Sequence, residues 1–171
     1  MRRSHPRIVE FVLNKCAIVD QIIAVLAAEL EGYTRSARFA HAEATDEQSK
    51  AENKYDTRGL EASYLAQGQS RQAAEVAQAM QDFQELPLRH FSPGEPIDIG
   101  AVVELEQDGE RTVYFVGPRA GGTEVKCDGS TVLVITPQSP IGQQVVGCKQ
   151  GDRLRINIGR TTANFRVASV A

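Results

Sequence analysis

Residues 12–44, VLNKCAIVDQIIAVLAAELEGYTRSARFAHAEA, decide the fold. Their apolar and small positions fall at Val12, Cys16, Val19, Ile23, Leu26, Leu30, Tyr33, Ala37, Ala40 and Ala44, stepping alternately by four and three. That is the seam of a long coiled-coil helix. A second seam follows at Tyr55, Gly59, Ala62, Ala66, Gln69, Ala73, Val76, Met80 and Phe83. Between the two lies a polar stretch, residues 45–53, too short to let the helices do anything but fold back as an antiparallel hairpin. Near the turn the seam residues shrink to alanine and glycine, so the helices approach closely and the finger tapers.

The far end of this finger is acidic. From residue 43 to 56, Glu43, Asp46, Glu47, Glu52 and Asp56 stand against Lys50 and Lys54, a local net of −3 that equals the formal net charge of the whole chain. A solvated turn is the plain reading, and a charge presented at distance is the functional one. Ser49 and Glu52 have the spacing of a capping box for the second helix, which gives Glu52 a structural role that competes with any chemical one. A net negative chain argues against nonspecific grip on nucleic acid as the main activity.

After Leu86-Pro87 the pattern changes. Pro93, Gly94 and Pro96 cannot continue a helix, and from Val102 the chain alternates as strands do. Expected strands run over 102–106, 111–116, 124–127, 131–135, 153–158 and 162–170, with Asp108-Gly109 and Asp128-Gly129 as tight turns. Residues 140–146 predict a short helix, with Ser139 at its N-cap, Pro140 in its first turn and Gly147 beyond its end. The expected architecture is α+β, with a hairpin over 1–86, a linker over 87–100 and a small, mostly antiparallel β domain over 101–171. The first helix is expected from about Arg7 or Leu13 to Ala44, and the second from about Lys50 to Leu86. Cys16, Cys127 and Cys148 are odd in number and lack metal-ligand spacing, so reduced structural thiols are expected. His5, His41 and His90 are too scattered for a metal site. Glu10, Lys15 and Asp20 interrupt the early apolar run, so neither a signal peptide nor a membrane span is expected.

Three segments carry a resemblance. Residues 135–142, Ile-Thr-Pro-Gln-Ser-Pro-Ile-Gly, followed by Val145-Val146-Gly147 and Gly151-Asp152, are similar to the C-terminal signature of the bacterial GreA/GreB transcript cleavage factors. The finger adds Glu52-Asn53, Tyr55 and Leu60-Glu61, and the run 52–65 resembles a GreA/GreB-like subgroup. The resemblance implies an FKBP-like C-terminal domain that docks on the rim of the secondary channel of RNA polymerase. Docking is expected at Ser139, Pro140 and Ile141, an N-capped short helix whose backbone is fixed by a proline in its first turn. The finger would then reach the polymerase active site, where tip acids help hold a second Mg²⁺ and its water. Glu52 is the matching acid, Asp46, Glu47 and Asp56 are the other candidates, and Asn53 and Tyr55 are their neighbours. No cofactor is held stably, because the magnesium is shared with the polymerase. A hard cation that needs carboxylate oxygens to complete its octahedron suits this chemistry.

The tip departs from the family pattern at Ser49, where an aspartate is usual, and Tyr55 arrives one residue early. Cleavage stimulation and channel occupancy without cleavage therefore both stand. A different class, an FKBP-like prolyl isomerase or dimerising scaffold, also fits the architecture. The β region offers only Tyr114, Phe115 and Phe165 as aromatics, which disfavours an isomerase pocket. No nucleotide-binding loop or nucleophile–base pairing marks an independent enzyme. The expected protein is a cytoplasmic monomer that touches nascent RNA and DNA only indirectly and has no membrane contact.

Overall fold

A computed structural model of the chain describes residues 14–45, 58–92, 94–158 and 161–171. Two long helices, α1 (Lys15–Thr45) and α2 (Arg58–Gln84), precede a six-stranded sheet. The strands are β1 (Val102–Gln107), β2 (Glu110–Val116), β3 (Glu124–Cys127), β4 (Ser130–Ile135), β5 (Arg153–Ile158) and β6 (Thr161–Val170), with a one-turn helix α3 (Gly142–Val145) between β4 and β5. At ~1.5 Å per residue, α1 is about 46 Å long.

Asn14 starts α1. Its Oδ1 accepts from the Cys16 and Ala17 N–H groups at 3.0 and 3.3 Å, satisfying two donors that a helix leaves unpaired. The expected start at about Arg7 or Leu13 lies outside the described residues, as do the turn and the Ser49–Glu52 capping box. The two helices pack along their seams, with Ala40 and Ala62 buried near the far end, where small side chains let the backbones close up.

At the base the buried stripe departs from the seam. Ile18 and Ile22 are fully buried beside Val19 and Leu26, whereas Cys16 is exposed. The physical reason is that the base of α1 has two neighbours. One stripe meets α2, and a second meets the sheet, where Ile18, Val19, Ile22, Leu26, Ala79 and Phe83 share a core with Val102, Val113, Phe115, Val125, Cys127, Val132 and Val134.

Strand order in the sheet is β3-β4-β2-β1-β6-β5. Every neighbouring pair is antiparallel except β2 and β4, which run parallel through Val113↔Val132 to Val116↔Ile135. Residues 117–129 make that possible: the chain leaves β2, adds β3 at the edge, and returns through the Asp128-Gly129 turn. Both Asp-Gly pairs adopt left-handed backbone, at φ 51° and 86° for Asp108-Gly109 and 50° and 79° for Asp128-Gly129. This is the primed turn that matches strand twist. The second face of the sheet buries Val103, Leu105, Tyr114, Val116, Ile135, Ile156, Phe165 and Val167 under Val145 of α3 and under Phe91 and Ile97 from the segment that enters β1. That segment's described residues form neither helix nor strand, but Phe91 and Ile97 anchor it in the core, and Ile97 exchanges backbone bonds with Cys148 and Gly147 at 2.8 Å each.

Candidate functional site

The segment joining β4 to α3 is built around one hydroxyl. Ser139 Oγ donates to the Thr136 carbonyl at 2.8 Å and accepts from the Gly142 and Thr136 N–H groups at 3.1 and 3.3 Å. The Ser139 carbonyl accepts from the Gln143 N–H at 2.9 Å, the first α-type bond of the turn. Ser139 is therefore an N-cap in its bonding, with Gly142 three residues on. The regular helix is shorter than the sequence suggests, four residues instead of seven, and Gly147 ends it at φ 88°.

Gly142 is a second determinant. A methyl placed there would sit 1.8 Å from the Thr136 carbonyl oxygen and 2.9 Å from Ser139 Oγ, so the loop closes only over glycine. Gln143 and Gln144 reinforce it, their side-chain amides donating to the carbonyls of Gln138 (2.9 Å) and Pro140 (2.6 Å).

These contacts refine the roles expected of the docking residues. The Ser139 hydroxyl is engaged within the loop, and Ile141 is half-buried against the second core. Pro140 is exposed, flanked by exposed Gln138 and Gln143. The exposed part of this segment is thus the proline ring, on a loop with little freedom left to lose. Gly142 carries no surface of its own, and its requirement is invisible in sequence until the Thr136 carbonyl is placed against it.

The loop sits at one end of the sheet, and the hairpin is clamped to the sheet by separate contacts. Phe83 of α2 meets Phe115 of β2 with ring centroids 6.3 Å apart. Asp82 pairs with Arg119 in the β2–β3 connection. Hydrogen bonds from Gln78 and then Arg119 hold the Asp82 carboxyl below its usual range. Lys15 Nζ donates to the Arg89 carbonyl at 2.6 Å, and both Lys15 and the Arg89 guanidinium lie over the Phe91 ring, at 4.6 and 3.8 Å. Partial burial, and then the Arg89 charge, lower the Lys15 ammonium pKa to about 8.

Glu52, Asp46, Glu47, Asp56, Asn53 and Tyr55 lie outside the described residues. On the helices that lead to them, Phe39, Leu60, Tyr64 and Leu65 are exposed, an apolar display that the seam pattern did not single out. Among the described residues no three His, Cys, Asp or Glu side chains gather as metal ligands, and no helix is long and apolar enough to cross a membrane. The thiols are free: Cys127 is buried, Cys148 is half-buried, and burial pushes both pKa values up, which suits inert structural thiols. Cys16 is exposed instead.

Comparison with known proteins meets this geometry in the C-terminal unit. The family model for "Transcription elongation factor, GreA/GreB, C-term" matches residues 92–171. A curated relative, "Transcription inhibitor protein Gfh1" of Thermus thermophilus, is 30% identical over 119 residues, covering 68% of this chain and 72% of that protein. Solved structures similar to it include Gfh1 of Thermus aquaticus (26% identity, 86% of this chain, 92% of that chain, TM-score 0.39) and GreA/GreB of Nitrosomonas europaea (17%, 69%, 95% and 0.35). With a helical hairpin, a sheet carrying one short helix, and this extent of sequence identity, the chain belongs to the GreA/GreB family of transcription elongation factors.

Proposed function

We propose that this protein is a non-catalytic accessory factor of RNA polymerase that docks at the rim of the secondary channel and extends its helical hairpin inward. The observation that carries the reading is the hairpin itself: an arm of about 46 Å, narrowed by Ala40 and Ala62, clamped at its base to a sheet that presents Pro140 on a preorganised loop. Within this role we favour channel occupancy that slows or inhibits the polymerase. Ser49 stands where the family's cleavage-supporting aspartate is usual, and the curated relative carries the name of a transcription inhibitor.

Cleavage stimulation is the second reading, supported by the five acids of residues 43–56. In that case Glu52 would be the carboxylate that helps hold a magnesium ion shared with the polymerase, with Asp46, Glu47 and Asp56 as further oxygen donors. The ion's chemistry would be to activate water and stabilise the leaving oxygen. On either reading the factor works as a monomer in the cytoplasm, touching nucleic acid only through the polymerase.

The deciding experiment measures RNA extension and cleavage by stalled, backtracked polymerase complexes with and without the full chain. Inhibition predicts slower extension with no added cleavage at any Mg²⁺ concentration, and Ser49→Asp should then confer some cleavage. Accelerated cleavage that Glu52→Ala removes without loss of binding would replace this reading with the second. Failure of the wild-type chain to bind polymerase would sink both.

A further inference from the structure

The hairpin leaves part of the sheet face on which it lies uncovered. Its core takes residues from β1, β2, β3 and β4 and, among the described residues, none from β5 or β6. On these two strands the side chains that point toward the other face, Leu154, Ile156, Ala163, Phe165 and Val167, pack into the second core. The alternating positions leave Arg153, Arg155 and Arg166 on the uncovered face, and all three are exposed.

Their arrangement is costly within the chain. Arg153 and Arg166 are directly opposite each other across the β5–β6 ladder, where like charges destabilise. Arg155 lies two residues along the same strand, opposite Asn164. On its other side Arg166 is opposite Glu106, but Glu106 pairs with Arg111 at 3.4 Å, and the buried Glu104 pairs with the same guanidinium at 3.1 Å. Arg111 thus takes both carboxylates. Among the described residues Arg153, Arg155 and Arg166 form no ion pair.

We propose that the open face of β5 and β6 is a second docking surface, which binds an acidic helical segment of the polymerase through Arg153, Arg155 and Arg166. The proposal rests on the polymerase-binding reading above. Directly opposite residues on an antiparallel ladder have Cβ atoms ~4.5–5.5 Å apart. Carboxylates three or four residues apart on a helix are spaced by about 5–6 Å, so one acidic helical face can meet the opposed pair, with Arg155 reaching a further acid. Planar guanidinium groups suit such bidentate contacts. A nucleic-acid backbone fits less well. The chain is net negative, three cations displace only about three counterions, and the aromatic of these two strands, Phe165, is buried on the opposite face and cannot stack a base.

The test compares the full wild-type chain with Arg153→Gln/Arg155→Gln/Arg166→Gln in direct binding to RNA polymerase at low and high salt, with thermal unfolding as the folding control. The triple variant should unfold at the same temperature or higher, because a like-charge pair is gone. It should bind roughly tenfold more weakly at low salt, the difference shrinking at high salt. A folded triple variant with wild-type affinity and salt dependence overturns the proposal. A parallel arm measures anisotropy of labelled single-stranded RNA and duplex DNA. If the wild type binds either, and the triple variant loses that binding while keeping its polymerase affinity, the occupant is nucleic acid and the proposal is wrong. If the wild type does not bind polymerase at all, the functional reading falls and takes this proposal with it, a failure distinct from a triple variant that binds normally.

Discussion

Gly142→Ala puts the proposed docking loop to its most direct test, because the added atom meets backbone. The new methyl would start 1.8 Å from the Thr136 carbonyl oxygen, and atoms of this kind do not approach below 3.0 Å, so loop or carbonyl must move by at least about 1.2 Å. That movement strains the three hydrogen bonds of Ser139 Oγ, which include the helix cap. Loss of the cap costs about 1 kcal/mol. Overpacking a closed site adds ~1–3 kcal/mol. The expected destabilisation is therefore about 2–4 kcal/mol, which for a chain of this size lowers the unfolding midpoint by roughly 5–15 °C. Pro140 would be displaced with the loop, so polymerase affinity should fall more in this variant than in Pro140→Ala, which removes surface but leaves the closure intact. Calorimetry or denaturant unfolding reads the first quantity and direct binding reads the second. A Gly142→Ala protein with unchanged midpoint and unchanged affinity would refute both the closure and its role in docking.

Other expectations follow from the base and the arm. Phe83→Ala removes a fully buried ring from between the hairpin and the sheet and should cost about 3–5 kcal/mol in urea unfolding; a loss below ~1 kcal/mol would show that the two units are not coupled there. Lys15 has its ammonium pKa lowered to about 8, so between pH 8 and 10.5 the unfolded chain binds more protons than the folded one, and stability should rise with pH across that window. Lys15→Met should abolish this rise, measured as the wild-type minus variant difference in unfolding free energy; a difference that stays flat with pH counts against the burial of that ammonium. Phe39→Ser and Tyr64→Ser, on exposed positions of the arm, should leave stability within ~0.5 kcal/mol while weakening polymerase binding, and unchanged binding would remove the arm's apolar display from the interface.

Much of this protein was legible in the chain because local chemistry dictates it. The four-three seams determined a helical hairpin, since only that periodicity buries the apolar stripe of each helix against the other. The Asp-Gly pairs determined two of the strand turns, because their backbone must turn left-handed there. Ser139, three residues before Gly142, announced the cap that closes the signature loop. Tertiary structure decided the rest. The parallel pairing of β2 with β4 depends on where β3 inserts, which no strand encodes alone. The burial of Ile18 and Ile22 in place of Cys16 arises because the base of α1 answers to the sheet as well as to α2. The demand for glycine at 142 comes from a carbonyl six residues upstream. The exposed arginines of β5 and β6 are ordinary strand residues in sequence, and only the register that opposes Arg153 to Arg166 and gives Glu104 and Glu106 to Arg111 sets them together on one face.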